Sequence, residues 1–337
     1  MHRFEYLRAE TVAEAVAELV REPNAQLVAG GTNLVDLMKN HVATPGKIID
    51  ITRLPLKGIE QRADGGISIG ALVTNADVAA NTIVQQKYPL LASAILAGAS
   101  GQLRNAATTA GNLLQRTRCS YFYDARTPCN KRAPGTGCPA IDGRNRAHAI
   151  LGTSNGCIAT HPSDMCVALA ALDAVVRVVG PHGERAIAMS DFHRLPGASP
   201  ERDTTLAHDE IVVAVELPPA RYLLHSYLKI RDRLSFTFAL VSVAAAVVVT
   251  DNVINAAAVA VGGVAHRPWR VTEAEALLIN RAPNAAVFAE CARRIVQGAV
   301  GQRDNAFKIE LAQRTIVRAL TQAVNGTPQS QSEKHVR

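Results

Sequence analysis

The order of apolar and polar residues in the first half of the 337-residue chain predicts short helices and strands in alternation. A capping box that starts at Thr11 precedes apolar residues at helical spacing as far as Val20, which predicts an amphipathic helix. A nearly continuous apolar pattern from Leu90 to Ser100 predicts a buried helix. Short apolar runs predict three strands, at 26–29, 48–51 and 67–72.

The second half is divided from the first by a proline pair, Pro218-Pro219, which ends a strand predicted from Ile211 to Leu217. Beyond it, apolar runs on either side of a tight turn at Asp251-Asn252 predict a three-stranded antiparallel sheet, with strands at 224–230, 239–250 and 253–261. Helical patterns follow at 272–279, 285–298 and 305–323. The predicted fold class is α+β, with one domain over 1–219, a smaller α+β domain over 220–324, and a polar tail, 325–337, predicted to be disordered.

Composition narrows the class of protein. The chain is 48% apolar and 19% charged, which is ordinary for a globular protein. Its net charge is +7, but no stretch interleaves basic with aromatic residues, so nucleic acid is not a predicted partner. The longest apolar run is too short to span a bilayer, and the N-terminus lacks the pattern of a secretion signal. We predict no membrane insertion, and a location in the cytoplasm or, by co-export with a signal-bearing partner, in the periplasm.

The first candidate binding segment is a glycine turn between a predicted strand and a predicted helix, Gln26-Leu27-Val28-Ala29-Gly30-Gly31-Thr32-Asn33-Leu34. Adjacent glycines permit positive φ, so consecutive amide N–H groups can converge on one anion, and phosphate is the natural guest. Thr32 and Asn33 add side-chain donors, and the helix N-terminus adds its dipole. The alternative is a tight turn that needs glycine for its geometry alone. The pattern is neither G-x-G-x-x-G nor a P-loop.

A second candidate segment, Thr108-Thr109-Ala110-Gly111-Asn112-Leu113, again places small hydroxyl residues and a glycine before an apolar stretch. Such a segment offers hydroxyl donors and lets a ligand approach the backbone closely. The alternative interpretation of this segment is purely structural.

Four of the six cysteines crowd into one segment, at Cys119, Cys129, Cys138 and Cys157. Residues 115–156 show no periodicity, and a structureless loop of that length requires something to organise it. Four thiolates hold either an iron–sulfur cluster or a structural zinc, and the absence of a C-x2–4-C pair favours the cluster. The alternative is four unrelated thiols. Cys166 and Cys291 lie in helical patterns and are predicted to be core thiols.

Together the two glycine segments resemble the FAD-binding subunits of the xanthine oxidase family of molybdenum hydroxylases, which carry an A-G-G-T/S-x-L turn and a T-x-G-G/A-N-L segment. Ala29 to Leu34 and Thr109 to Leu113 match them, except that Ala110 occupies a position that is glycine in many relatives. The stretches 160–164 and 227–247 resemble two further family segments. The resemblance implies a two-lobed, PCMH-type FAD-binding domain over 1–219. It also implies that the FAD diphosphate lies at the two glycine segments, with His161, Asp164 and Lys229 near the flavin.

The cysteine segment resembles that of a subset of the family, the flavin subunits of bacterial three-subunit aldehyde oxidoreductases of the periplasmic type. The matching residues are 116–119, 121–124, 128–132 and 159–165. This resemblance implies an insertion at about 115–158 and a [4Fe–4S] cluster held by Cys119, Cys129, Cys138 and Cys157. Benzoyl-thioester reductases also insert a cluster in their flavin subunit, so the substrate stays open.

The function implied by the resemblance is electron transfer, with no catalytic residue on this chain. The implied partners are a large molybdopterin subunit that oxidises an aldehyde to a carboxylic acid and a small subunit with two [2Fe–2S] clusters. Electrons would pass from the partner clusters through FAD to an external acceptor. The alternatives are the flavin subunit of another molybdenum hydroxylase such as a thioester reductase, a stand-alone flavoprotein, and a zinc-binding, non-enzymatic adaptor that binds nucleic acid.

Overall fold

The computed structural model describes residues 1–222, 224–234 and 237–331. Its first layer consists of β1 (Glu5–Arg8), α1 (Val12–Arg21), β2 (Ala25–Val28), α2 (Leu34–Lys39) and β3 (Lys47–Asp50). The strands form a parallel sheet in the order β1-β3-β2. Thr11 Oγ1 accepts the backbone N–H of Glu14 at 3.1 Å, which confirms the predicted cap of α1.

A five-stranded antiparallel sheet forms the second layer, in the order β4-β5-β8-β6-β7. Its strands are β4 (Ile59–Gln61), β5 (Ile67–Gly70), β6 (Val175–Gly180), β7 (Gly183–Ala188) and β8 (Ile211–Leu217). The accompanying helices are α3 (Asn75–Ala80), α4 (Thr82–Lys87), α5 (Pro89–Ala97), α6 (Gly101–Ala106), α7 (Thr109–Leu113), α8 (Ser120–Tyr123), α9 (Asp164–Ala171) and α10 (Met189–Phe192). The excursion from β5 to β6 contains the second glycine segment and all four clustered cysteines.

The helix predicted from Leu90 to Ser100 is shorter in the structure. α5 ends at Ala97, Gly98 is extended, and Ala99 has a φ of +51°, in the left-handed region. Ser100 then caps α6 by accepting the backbone N–H of Leu103 at 3.3 Å. Most of α5 is buried, as the apolar pattern predicts, but the pattern does not predict the break between the two helices.

The C-terminal sheet is antiparallel, in the order β12-β11-β10-β9, and consists of β9 (Leu224–Ile230), β10 (Val241–Thr250), β11 (Val253–Gly262) and β12 (Trp269–Arg270). Three strands match the prediction, and the two-residue β12 is a fourth that is too short to give a periodic signal. Asp251 and Asn252 have φ of +50° and +61°, which confirms the tight turn. The helices α11 (Thr272–Ala276), α12 (Ala285–Ile295) and α13 (Phe307–Val324) follow.

Both faces of this sheet are buried, and they differ in side-chain size. Ala244 and Ala246 of β10 face a core that contains α5 and α9, where small side chains let the helices approach closely. Val243 and Val247 face the opposite core, with α12 and α13. The sheet therefore lies between the core of the first domain and the core of the C-terminal domain.

The predicted disorder of the tail stays a prediction, and residues 332–337 lie outside the described ranges. Within those ranges, Gln329 Oε1 accepts the backbone N–H of Lys229 at 3.2 Å, and Gln331 Nε2 donates to Tyr227 O at 3.3 Å. Both contacts lie on β9, the edge strand of the C-terminal sheet. In the described ranges, no helix has the length and apolar character needed to cross a bilayer.

Candidate functional site

The first glycine turn packs directly against the end of α6. A Cβ atom on Gly30 would lie 1.8 Å from the carbonyl oxygen of Ala106, so only glycine allows this contact. Gly31 has a φ of +69°, in the left-handed region. Because α6 leads into the second glycine segment, the two predicted segments lie beside each other.

The second glycine segment forms the short helix α7. Thr108 caps it by accepting the backbone N–H of Gly111 at 3.2 Å. Thr109 is buried, and its hydroxyl donates to Val73 O at 3.0 Å, so it faces the protein interior. Asn112 Oδ1 accepts the hydroxyl of Ser163 at 2.6 Å, which ties this segment to the start of α9.

A cleft of about 440 Å³ lies beside these segments. The predicted site residues that line it are Thr32, Asn33, Gly111, Asn112, Asp164 and Lys229. Ala29, Gly30 and Thr108 instead line an adjoining cavity of about 510 Å³, on the other side of the contact between the turn and α6. Gln26, Leu27, Val28, Gly31, Leu34 and Thr109 support the segments without lining the cleft. Residues 97–101, at the unpredicted helix break, form another part of its wall.

Several positively charged side chains line the cleft. Arg104, Arg118, Lys229 and Arg231 line it, whereas Asp164 is the one carboxylate in its described lining. Asn33 Oδ1 accepts the backbone N–H of Arg116 at 2.9 Å, but the buried Nδ2 of the same amide has no hydrogen-bond partner among the described residues. Buried donors are normally paired, so this atom indicates an absent acceptor. A diphosphate such as that of FAD fits both the charge and the unpaired donor.

A buried ion pair forms the floor of the cleft. Asp164 Oδ2 lies 2.7 Å from Lys229 Nζ, and Asp164 Oδ1 accepts the hydroxyl of Tyr227 at 2.7 Å. Lys229 Nζ also donates to Ala97 O at 3.2 Å. Burial and the neighbouring Asp164 hold the pKa of Tyr227 well above its usual range, so Tyr227 keeps its proton and stays a donor. The two predicted residues Asp164 and Lys229 thus form one network.

The structure brings the four clustered cysteines around one small cavity. Cys129 and Cys157 are buried, and Cys119 and Cys138 are partly exposed. A tetrahedral zinc, with Zn–S bonds of about 2.3 Å, requires sulfurs about 3.8 Å apart. Among the described residues, no three of these sulfurs lie within 4.8 Å of one another. A cluster, in which each thiolate binds a different iron, holds its sulfurs farther apart, and a cluster at these cysteines stays a prediction.

Thiol acidity within this cysteine group is uneven. A hydrogen bond from Cys157 lowers the pKa of Cys138 to about 6, while the same contact and burial raise the pKa of Cys157. Burial raises the pKa of Cys119 to about 11. A bound metal ion would stabilise the deprotonated, negatively charged form of such desolvated thiols.

Two histidines that the sequence analysis did not single out contact the cysteine group. His148 Nε2 lies 3.1 Å from Cys119 Sγ, and His266 Nε2 lies 3.3 Å from Cys157 Sγ. His266 is separated from its cysteine by 109 positions along the chain. No local motif could have revealed such a contact.

His161 does not line the cleft. It lines an inner cavity of about 190 Å³ that also touches Cys119, Asp164 and Phe238. Its ring lies 4.1 Å from that of His193, centroid to centroid, and the Nε2 atoms of both approach Leu113 O. Burial lowers the pKa of both rings, to about 4 for His193, so both are neutral.

Comparison with known proteins agrees with this geometry. The family described as FAD binding domain in molybdopterin dehydrogenase matches residues 2–220, and the CO dehydrogenase flavoprotein C-terminal domain matches residues 226–323. The chain is 50% identical to the aldehyde oxidoreductase FAD-binding subunit PaoB of Escherichia coli K12, over 96% of this chain and 99% of that protein. It is 29% identical to the glyceraldehyde dehydrogenase medium chain of Sulfolobus acidocaldarius, over 87% of this chain and 86% of that one.

Solved structures share the architecture. A chain of carbon monoxide dehydrogenase from Hydrogenophaga pseudoflava matches with a TM-score of 0.75 at 26% identity, over 96% of this chain and 98% of that chain. A chain of quinoline 2-oxidoreductase from Pseudomonas putida 86 matches with a TM-score of 0.74 at 22% identity, over 97% and 98%, which shows the fold. The chain belongs to the family of FAD-binding subunits of the molybdopterin dehydrogenases. The predicted fold class, family and FAD cofactor are confirmed; the roles of the single site residues stay predictions.

Proposed function

We propose that this chain is the electron-transfer subunit of a molybdenum aldehyde oxidoreductase and carries both FAD and a [4Fe–4S] cluster. The observation that carries the proposal is the 50% identity, over nearly the full length of both chains, to a protein named as an aldehyde oxidoreductase subunit. The cation-rich cleft and the group of four cysteines add support. The proposed partners are a large molybdopterin subunit and a small subunit with two [2Fe–2S] clusters.

In this proposal the chain's own residues hold and insulate the cofactors. The turn at Gly30 and Gly31, together with Asn33 and Asn112, binds the FAD diphosphate, and the Asp164–Lys229 pair lies toward the flavin. Cys119, Cys129, Cys138 and Cys157 ligate the cluster. FAD, when bound, supplies the redox chemistry, while the protein fixes its position and surroundings.

The test is anaerobic mixing of the purified single chain, loaded with its cofactors, with a panel of aldehydes. The proposal assigns the oxidation of the aldehyde, in which water supplies the oxygen atom and the molybdenum centre accepts the two electrons, to the large subunit. The flavin absorbance should therefore stay unchanged with aldehyde and bleach with dithionite. The assembled three-subunit complex should show flavin bleaching by aldehyde. Stoichiometric bleaching of the single chain would demonstrate a substrate site on it and overturn the proposal.

A further inference from the structure

The contacts of His148 and His266 with cysteine sulfur share one geometry. Each imidazole presents Nε2 to a different sulfur, at 3.1 Å and 3.3 Å, and each side chain is buried. Each leaves Nδ1 buried and without a hydrogen-bond partner among the described residues. Two of the four proposed cluster ligands therefore have an imidazole as their neighbour.

The chemistry of a ligating thiolate decides which atom donates. A sulfur bound to iron has lost its proton and can only accept a hydrogen bond, so Nε2 must carry the proton. A neutral imidazole carries one N–H, here on Nε2. The proton on Nε2 leaves Nδ1 as a bare lone pair. This is consistent with its lack of a partner, since an unpaired buried N–H is rarer.

The two imidazoles come from different domains, and the backbone segments that carry them are bonded to each other. His148 lies in the cysteine segment, and its carbonyl oxygen accepts from Lys308 Nζ at 2.8 Å and Asn305 Nδ2 at 3.3 Å. Lys308 belongs to α13 and is fully buried. His266 follows β11, next to Ala265, whose carbonyl accepts the backbone N–H of His161 at 3.0 Å. Lys308 also donates to Gly263 O, and the backbone N–H groups of Ile150 and Leu151 donate to Val264 O, so one connected part of the protein sets both ring positions.

We propose that His148 and His266 are positioning residues that donate N–H···S hydrogen bonds to the Cys119 and Cys157 thiolates and thereby raise the reduction potential of the cluster. The inference rests on the proposed cluster. Reduction adds one electron, and the added negative charge falls partly on the sulfurs. A hydrogen bond to sulfur is therefore stronger in the reduced state and stabilises it. Without the two bonds the cluster is harder to reduce.

The test measures the midpoint potential of the cluster in the assembled complex, by potentiometric titration followed by EPR. His148→Leu and His266→Leu should each shift the potential downward, and the double variant should shift it further. His148→Gln and His266→Gln retain an N–H donor and should recover part of the shift. His182→Leu makes the same change at an exposed histidine in the β6–β7 turn and should leave the potential unchanged. Leucine variants that keep a full cluster at the wild-type potential would overturn the inference.

A second measurement needs no variant. Pulsed EPR of the reduced wild-type cluster, in protein labelled with nitrogen-15 histidine, should show a weak nitrogen coupling transmitted through the hydrogen bonds. A strong coupling would mean that an imidazole binds iron directly, and no coupling would mean that neither ring contacts the cluster; either result overturns the inference. Absence of iron and sulfide from the wild-type chain would instead overturn the proposed cluster, so the two failures are distinguishable.

Discussion

The C-terminal sheet and the cysteine segment, residues 115–158, are both packed inside the protein but are held together in different ways. β10 and β11 pair along a ladder of nine residue pairs, and apolar side chains cover both faces of their sheet. The cysteine segment contains only the four-residue α8. Turns and side chains bond its backbone, and the N–H of Asn130 donates to Gly137 O at 2.9 Å. Arg132 donates to Tyr121 O and Phe122 O, at 3.0 and 2.7 Å, and Asn145 Nδ2 donates to Ala140 O and Ile141 O, both at 3.1 Å.

This difference predicts which interactions stabilise each region. The sheet is stabilised by its own backbone bonds and by the burial of apolar area, and it requires no bound group. The cysteine segment places four thiols around one cavity, so a group bound by these thiols would add to the stability of the segment. Substitutions in the two regions should therefore affect different measurements.

The largest expected effect is at Cys129. Cys129→Ser removes one of the four proposed ligands, and we expect the loss of the proposed cluster with its broad visible absorption, along with increased proteolysis within 115–158. Iron and sulfide analysis should show equal amounts in the wild type and little of either in the variant. Cys291→Ser is the matched control, because it makes the same change at a fully buried thiol of α12. Stoichiometric zinc without sulfide in the wild type would contradict the prediction.

The glycine turn should give the next largest effect. Gly31→Val places a β-branched side chain at a φ of +69° and 3.1 Å from Val35 Cγ2, so the turn must change shape and FAD should be released. Gly65→Val is the control, because Gly65 has a φ of +86° in open space away from the cleft and imposes similar strain. The measurement is the ratio of FAD to protein after gel filtration. Full retention of FAD by Gly31→Val would mean that the turn is only structural.

A smaller and purely structural effect is expected in the C-terminal core. Ile316 of α13 is fully buried against the sheet, so Ile316→Ala should lower the free energy of unfolding by about 2–5 kcal/mol. Because the sheet requires no bound group, the folded variant should keep its full content of FAD, iron and sulfide. Val300→Ala, at an exposed residue, should change the free energy little. Loss of the cluster from folded Ile316→Ala would show that the two regions are not independent.

The sequence allowed the sheet to be predicted far better than the surroundings of the site. β10 and β11 have long apolar runs and a turn whose residues favour positive φ, and these signals are local. The helix break at Gly98 and Ala99 was missed, although glycine commonly follows the end of a helix and Ser100 is a residue type that commonly caps the next one. His148 and His266 were missed for another reason: their partners are distant along the chain, so only tertiary packing brings them to sulfur. The group of four cysteines was predicted because cysteine itself indicates metal or cluster binding, whatever the pattern of residues around it.

The last and smallest effect concerns Lys308, which connects the two regions by donating to Gly263 O, beyond β11, and to His148 O. Burial lowers the pKa of Lys308 to about 7, against an ordinary value of 10.5. Between these two values the unfolded chain binds more protons than the folded one, so the free energy of unfolding rises with pH. The slope contributed by this one group is at most about 1.4 kcal/mol per pH unit. Urea unfolding at several pH values between 7 and 9 should show a shallower rise for Lys308→Met than for the wild type. Lys39→Met, at an exposed lysine, should keep the wild-type slope. Equal slopes in the wild type and Lys308→Met would mean that Lys308 stays protonated in the folded protein throughout this range, with its charge stabilised by the two carbonyl oxygens.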